Sequence, residues 1–368
     1  MELPGVWMRG GTSKCWVFER DDLSKSNLGI ENTLLRVFGS PDVRQLDGIG
    51  GGTSTTSKAV IVSPTDHTGA DLSFLFAQVG IDEAKVDWGS NCGNCSATVA
   101  LYAIEQGWIV PTAEVTEVRV LNENTDQIII QRVPTPLGRL PRQGTAEMPG
   151  SVYPGFEVTL GFEEPEGKTT GKLFPTGQNQ ESFQIDGSTY RASLLDAGAP
   201  TVLVSARELG LWEADREDWT STSTDTLSLL EEIRRAAAVR MGLCSNAKDA
   251  DRAIPKIGIV GPTSNEEASL RIQMLSMGNL HPAMPITGSV AVSIGAQTPQ
   301  TTVHEALSGR SVDSGLLKID TPSGILTTFY ESKEGKTLVG SARTCRTLAE
   351  ATLFIPEDPM PLEVRNAS

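Results

Sequence analysis

The stretch that decides the fold is a polar turn followed by an apolar run: Gly89-Ser90-Asn91-Cys92-Gly93-Asn94-Cys95-Ser96, then Ala-Thr-Val-Ala-Leu-Tyr-Ala-Ile at 97–104. Ser and Asn are good helix-capping residues, and Gly107 stands where such a helix would end. A helix that is apolar on nearly every side is normally buried. The stretch therefore predicts a buried helix whose first turn brings free N–H groups to the bottom of a pocket.

Cys92 would lie beside those N–H groups. A helix N-terminus stabilises a thiolate, so we expect the pKa of Cys92 to be lowered and the residue to be reactive. The alternative is a structural cysteine buried in a tight turn. Cys92 and Cys95 also have the Cys-x-x-Cys spacing of redox sites, but the βαβ context of such sites is not evident around them.

Composition indicates a β-rich or mixed fold. The chain has 368 residues, with 36 Gly, 21 Pro and only 5% aromatic residues, so turns are many and elements short. Its length favours two domains. The formal charge of −15 argues against nucleic acid or an anionic membrane as a partner.

The numbers and positions of the cysteines and histidines also limit which functions are expected. Five cysteines, an odd number, are scattered along the chain, which favours a reducing compartment over a disulfide framework. The three histidines have no Cys or Asp at metal-ligand spacing, so we expect no metal site. The start of the chain lacks the apolar core of a signal peptide, and no apolar run reaches membrane-spanning length. A soluble, cytoplasmic protein is expected.

A second stretch of the same kind occurs in the other half of the chain. Thr287-Gly288-Ser289 precedes the small apolar run at 290–296. This echo predicts two related halves, 1–178 and 179–368, with a strand after about 345 as a candidate to complete the first half. Two buried helices whose N-termini face each other across a cleft would suit a small anion.

Lys58 ends the polar run Thr53-Ser54-Thr55-Thr56-Ser57, where the chain turns apolar. Partial burial there would lower its pKa and make it a proton carrier near neutral pH. The alternative is an exposed or anion-pairing lysine. The preceding glycines match neither a phosphate-binding P-loop nor a dinucleotide fingerprint, because no Gly-Lys-Ser/Thr closes the run and a strand follows it.

Several small-residue turns together favour a carboxylate-binding cavity. Their candidate anion-binding residues are Arg9, Ser13, Lys14, Thr53, Ser54, Thr55, Arg271, Thr287, Gly288 and Ser289. His281 is interpreted as a hydrogen-bonding wall residue in preference to a proton carrier.

These motifs resemble the methylaconitate isomerase family. The resemblance rests on Met8-Arg9-Gly10-Gly11-Thr12-Ser13-Lys14, Asp47-Gly48-Ile49-Gly50-Gly51 with the run ending in Lys58, Asn91-Cys92-Gly93-Asn94, Ser276-Met277-Gly278 with His281, and Thr287-Gly288. The motifs occur in the family's order and reach from the N-terminus to about residue 300.

The resemblance implies an α/β (α+β) fold of the diaminopimelate epimerase type, with two pseudo-symmetric halves, each a curled, mostly antiparallel sheet around a central helix. It implies catalytic roles for Lys58 and Cys92, and no metal or organic cofactor. The substrate-binding residues expected from the motifs and turns together are Ser13, Ser54, Thr55, Asn91, Gly93, Asn94, Arg271, Met277, Thr287, Gly288 and Ser289. Where the epimerases place a second cysteine, this chain has Thr287-Gly288-Ser289, so two-thiol racemisation is not expected.

The sequence thus predicts a cofactor-independent isomerase that moves a proton and double bond, or changes cis/trans geometry, in a small unsaturated di- or tricarboxylic acid such as aconitate or methylaconitate. An epimerase, racemase or tautomerase of a related carboxylate is the first alternative, and a non-catalytic carboxylate-binding protein is the second. The expected partner is the small-molecule substrate alone, with a homodimer as an open possibility.

Overall fold

The computed structural model describes residues 1–89, 92–252, 254–276, 278–312, 315–333 and 335–356. They form two compact units. The first contains Met1–Leu160 and the segment that starts at Arg343, and the second is Gly161–Ala342. The sequence placed the division between the two halves at 178/179, which is in a loop. The structure places the unit boundaries at 160/161 and 342/343, and both of these fall inside strands.

The first unit is built on a mixed sheet. Its strands are β1 (Glu2–Gly10), β2 (Ser13–Glu19), β3 (Lys58–Ser63), β4 (Leu72–Val79), β5 (Val86–Asp87), β6 (Val115–Asn122), β7 (Gln127–Pro134) and β8 (Phe156–Glu163). Its helices are α1 (Arg20–Ser24), α2 (Gly29–Phe38), α3 (Gly93–Ser96) and α4 (Thr98–Glu105). The pairs β1–β2, β3–β4 and β6–β7 are antiparallel, and the pairs β2–β3 and β4–β6 are parallel.

The second unit repeats this order. Its strands are β9 (Glu181–Ile185), β10 (Ser188–Ala197), β11 (Ala199–Ser205), β12 (Lys256–Gly261), β13 (Leu270–Ser276), β14 (Asn279–Leu280), β15 (Leu316–Thr321), β16 (Gly324–Lys333) and β17 (Lys336–Phe354). Its helices are α5 (Arg216–Thr220), α6 (Thr224–Arg240), α7 (Ile286–Gln297) and α8 (Thr302–Ala306). Antiparallel β10–β11, parallel β11–β12, antiparallel β12–β13, parallel β13–β15 and antiparallel β15–β16 match the first unit pair for pair. The duplication expected from the two helix-entry turns is therefore present in the strand order.

The last strand belongs to both units. The start of β17 pairs with β16, and its end pairs antiparallel with β1, from Gly10 opposite Cys345 to Glu2 opposite Phe354. The first unit is thus completed by residues that follow the second unit in the chain.

Each unit buries one apolar helix. In α7 all residues except Gln297 are buried, and in α4 all except Glu105. The helix expected at 97–104 is, however, preceded by the separate short helix α3, with a break at Ala97. The side-chain amide of Gln131 fills this break, because it donates to Ser96 O (2.8 Å) and accepts from Ala100 N (3.0 Å). A residue on β7 thereby satisfies backbone groups that a continuous helix would have paired internally.

The outer helices pack on the opposite face of each sheet. Leu34, Leu35 and Phe38 of α2 form one core cluster with Trp16 and Phe18 of β2. In the second unit, α6 buries an apolar face, with Leu230, Ile233 and Ala237 in one cluster with Trp219 and with Met241, which follows the helix. Within the described residues, no helix is long and apolar enough to cross a membrane.

Phe18→Ala tests the outer core of the first unit. Phe18 is fully buried and stacks on Trp16 with ring centroids 6.3 Å apart. Its truncation leaves a cavity, so we expect a loss of about 3–5 kcal/mol in the free energy of unfolding, measured by urea denaturation. Phe354→Ala is the matched control, because this ring is 79% exposed and its loss should change stability by no more than about 0.5 kcal/mol. Equal effects of the two substitutions would contradict the assignment of this core.

Candidate active site

Cys92 lies at the start of the short helix α3. It is the N-cap residue, with extended backbone (φ −119°, ψ 94°), and its carbonyl accepts from Ser96 N at 2.9 Å. Its side chain is half-buried. Ser90 and Asn91, which the sequence placed in this turn, lie outside the described residues. Cys92 thus lies at a helix N-terminus, as expected from the sequence.

Lys58 is the first residue of β3 and is only 8% exposed. Its Nζ donates to Gln78 Oε1 at 2.6 Å and lies 5.0 Å from the centroid of the Phe76 ring. The Gln78 amide is fixed in turn, because its Nε2 donates to Ser57 O at 2.8 Å. The ammonium group is therefore held in one position inside the protein.

Cys92, Cys95 and Cys15 all act electrostatically on the Lys58 ammonium, so the structure brings Lys58 and Cys92 into the same surroundings. Burial by itself lowers the pKa of Lys58, but its interactions with the sulfur atoms of Cys92, Cys95 and Cys15 together outweigh burial, so the pKa is raised. The expected lowering of this pKa was wrong because the sequence did not show the thiols around the ammonium. At neutral pH the group is a cation.

The pKa of Cys92 also shifts opposite to the prediction. A hydrogen bond with Cys95 and then burial raise it well above the usual range, although the charge of Lys58 acts in the other direction. The helix behind Cys92 has only four residues, so its dipole is too small to compensate. Cys92 is a neutral thiol at neutral pH.

Two further thiols, those of Cys95 and Cys15, lie close to this pair. Cys95 is fully buried, interacts with both Cys92 and Cys15, and has a pKa that burial raises well above the usual range. Cys15 lies 3.9 Å from Thr98 Oγ1. The sequence left Cys95 without a role, and the structure makes it the direct neighbour of the candidate catalytic thiol.

The hairpin between β1 and β2 packs tightly on the turn after Cys92. A Cβ on Gly10 would lie 2.1 Å from Asn94 O, and one on Gly11 would lie 2.1 Å from Asn94 Oδ1. Gly11 also has φ +53°, which favours glycine. Asn94 Nδ2 donates to Thr12 Oγ1 at 3.1 Å. Two motifs about 80 residues apart in sequence are therefore one packed unit.

The predicted hydroxyl ligands of the first unit lie near this hairpin. Lys14 N donates to Thr55 O at 2.9 Å, which joins the two loops. Ser13 is 5% exposed, whereas Ser54 and Thr55 are exposed. Gly93 is buried inside α3.

Two glutamines near Lys58 were missed by sequence reasoning. Gln78 anchors the ammonium, and the buried Gln45 donates to Ser57 Oγ (2.7 Å) and accepts from Gly52 N (2.9 Å). A Cβ on Gly50 would fall 1.9 Å from Gln45 Oε1. The only signal in the sequence was the run of glycines, which leaves room for a side chain from elsewhere.

In the second unit, Thr287, Gly288 and Ser289 form the first turn of α7 and are buried. Ser289 Oγ donates to Ile286 O at 2.8 Å. Met277 lies outside the described residues. His281 Nδ1 accepts from Ala283 N at 3.0 Å.

Arg271 was predicted to bind substrate, and the structure gives it another role. Its side chain is 6% exposed, and its Nε donates to Asp320 Oδ2 at 2.9 Å. Its remaining hydrogen bonds are with Thr263, Ser264 and the carbonyl of Ala214, at 3.4–3.5 Å. A buried guanidinium requires such a partner, so Arg271 stabilises the second unit and is withdrawn as a ligand.

Among the described residues, no group of three or more His, Cys, Asp or Glu side chains is arranged to hold a metal ion.

The duplicated strand order, with one buried helix in each unit, defines the diaminopimelate epimerase-like class of α/β proteins. The family model described as PrpF protein matches residues 1–356, and the chain belongs to this family. It is 33% identical to a 2-methyl-aconitate isomerase of Shewanella oneidensis, over 97% of this chain and 98% of the relative. It is 30% identical to a 3-methylitaconate isomerase of Eubacterium barkeri, over 96% and 97%. A crystal structure of methylitaconate-delta-isomerase superposes with a TM-score of 0.85 at 29% identity, covering 96% of each chain.

The reactivity of Cys92 tests the thiol cluster. Because its pKa is raised, alkylation by iodoacetamide should speed up about tenfold per pH unit from pH 7 to 9 with no plateau. Cys95→Ala removes the largest cause of the raised pKa, so the rate at pH 8 should increase. Peptide-level mass spectrometry isolates Cys92 from the other cysteines. A plateau below pH 8 in the unaltered protein would contradict the neutral thiol.

Proposed function

We propose that this protein is an isomerase that moves one proton, and with it the double bond, within a small unsaturated di- or tricarboxylic acid. The observation that carries the proposal is a buried Lys58 ammonium, held by Gln78, on which the thiol of Cys92 at the start of α3 acts electrostatically. Family membership supports it, because the relatives are named as isomerases of 2-methyl-aconitate and 3-methylitaconate.

The proposed reaction needs one base and one acid. The base takes a proton from a carbon next to a carboxylate or to the double bond, and the electrons of the broken C–H bond enter the conjugated system as a dienolate. The acid then returns a proton to a different carbon. Lys58 is the main proton carrier in this proposal, and Cys92 is its acid or base partner.

The surrounding groups would stabilise the dienolate. A cationic Lys58 lies where negative charge develops, and the first turn of α3 offers N–H groups without intrahelical partners. Ser13, Ser54, Thr55, Gly93 and Asn94 stay predicted substrate ligands of the first unit, and Thr287, Gly288 and Ser289 of the second. A cytoplasmic location and a homodimer stay predictions.

Proton NMR in D2O tests the activity directly. We expect the protein to shift the double bond of at least one acid in a panel of aconitates, methylaconitates, itaconates and mesaconates, with deuterium entering at the migrating position. Lys58→Ala should reduce turnover by roughly two to four powers of ten, because it removes an acid–base group. Lys85→Ala, at an exposed lysine of the same unit, is the control and should leave turnover unchanged. Near-normal turnover in the Lys58 variant would remove Lys58 from the mechanism.

The pH dependence follows from the two raised pKa values. Lys58 and Cys92 both hold their protons at pH 7, so the base form is a minority that grows about tenfold per pH unit. We therefore expect kcat/KM to rise with slope near +1 from pH 7 to 9 at constant ionic strength. A flat profile across this range would show that the base ionises below pH 7, which would contradict the raised pKa values of Lys58 and Cys92.

A further inference from the structure

The side-chain amide of Gln131 stands between two backbone groups that would pair in a continuous helix. In an α-helix each N–H donates to the carbonyl four residues earlier, so Ala100 N would donate to Ser96 O. Here Gln131 Nε2 donates to Ser96 O at 2.8 Å, and Gln131 Oε1 accepts from Ala100 N at 3.0 Å. Gln131 is 0% exposed. A side chain inserted in this way is a recognised cause of a break in a helix.

Two other side chains also bond to the backbone at this break. Thr98 Oγ1 donates to Cys95 O at 2.7 Å. Cys345 Sγ, from β17, donates to Ala97 O at 3.0 Å. The carbonyl groups at the end of a short helix need such partners. The break is therefore a satisfied part of the buried structure, and Gln131 is the side chain that bonds to both sides of it.

The second unit offers a comparison within the same chain. Its buried helix α7 is one uninterrupted helix, Ile286–Gln297. Gln131 is the fifth residue of β7, and the fifth residue of the matching strand β16 is Thr328. Thr328 Oγ1 accepts from the side chain of Ser293 in α7 at 2.6 Å. The longer glutamine thus reaches the helix backbone in the first unit, whereas the threonine in the second unit bonds to a side chain and leaves the helix whole.

The break gives α3 a position of its own against the strands that hold Lys58. α3 contacts β3, which begins with Lys58, and β4, which carries Gln78, whereas α4 contacts β6 and β7. Ser96 N donates to Cys92 O at 2.9 Å, so the residue that Gln131 holds is bonded to the start of α3. Cys92 in turn acts electrostatically on Lys58. Hydrogen bonds therefore lead from Gln131 through Ser96 to the candidate catalytic thiol.

We propose that Gln131 is a positioning residue, whose inserted amide keeps α3 separate from α4 and thereby holds the Cys92 thiol and the first N–H groups of α3 in the surroundings of the Lys58 ammonium. This inference rests on the proposed function. Gln131 acts through Ser96 and is not itself a proton carrier. Without its amide, Ser96 O and Ala100 N can pair with each other, α3 joins α4, and Cys92 moves with α3.

Gln131→Met tests the proposal, because methionine fills a similar volume and makes neither of the two hydrogen bonds. For an acid that the unaltered protein isomerises, we expect kcat to fall about 10- to 100-fold, since a small displacement of a reacting group is enough for such a loss. KM should rise no more than about threefold, because most of the predicted ligands lie outside α3. Iodoacetamide should alkylate Cys92 about 3- to 10-fold faster, because the thiol is no longer fixed beside Cys95.

Thr116→Val is the matched control for a loss of stability alone. Thr116 is a buried polar residue of β6, and its hydroxyl bonds to Thr135 Oγ1 at 2.7 Å. The replacement should lower Tm about as much as Gln131→Met does, while kcat and the alkylation of Cys92 stay as in the unaltered protein. If Gln131→Met matched this control in both kcat and alkylation rate, Gln131 would be a purely structural residue and the proposal would be overturned.

Gln131→Asn carries the test if the methionine variant does not fold. Its amide is one methylene shorter, so it reaches only one of the two backbone groups, and kcat should still fall about tenfold or more. Near-normal kcat in this variant would overturn the proposal.

The outcomes separate this inference from the proposed function. If the unaltered protein isomerises no acid, the proposed function fails, and the alkylation rates still decide whether Gln131 holds Cys92. If the unaltered protein isomerises an acid and the Gln131 variants change neither kcat nor the alkylation of Cys92, only the positioning role fails.

Discussion

The hydrogen bond from Lys58 to Gln78 is the constraint on which the candidate site depends. An ammonium group that is more than nine-tenths buried is costly unless fixed dipoles and polarizable neighbours replace its water. Gln78 supplies the dipole, Ser57 holds Gln78, and three thiols complete the surroundings. The lysine keeps its charge inside the protein because all of these groups are present together.

Close backbone packing then sets where the other site residues lie. The glycines of the hairpin allow Asn94 to approach to a distance that no side chain would permit, and Gln45 occupies the space left by Gly50. The glycine-rich motifs therefore leave space into which polar side chains from other loops pack. Phosphate binding, which such motifs often indicate, is not needed to explain them.

Much of the fold and part of the site could be predicted from the sequence. The buried helix of each half, the duplication and the amphipathic α6 all depend on local patterns, and Lys58 and Cys92 stand at boundaries that are visible in the chain. The errors have long-range causes. The pKa directions of Lys58 and Cys92 depend on Cys95 and Cys15, and Arg271 was misassigned because Asp320 is 49 residues away. The break before α4 depends on Gln131 from another strand. No local pattern reports which distant side chain will fill a gap.

The pairing of β17 with β1 has a consequence for the order of folding. The second unit is one continuous segment, whereas the first needs residues from both sides of it. During synthesis the second unit can close as soon as it leaves the ribosome, but β1 keeps an open hydrogen-bonding edge until residues 345–354 arrive. The half that carries Lys58 and Cys92 is thus the last to be finished, and nascent chains without that strand would present an unpaired edge to their neighbours.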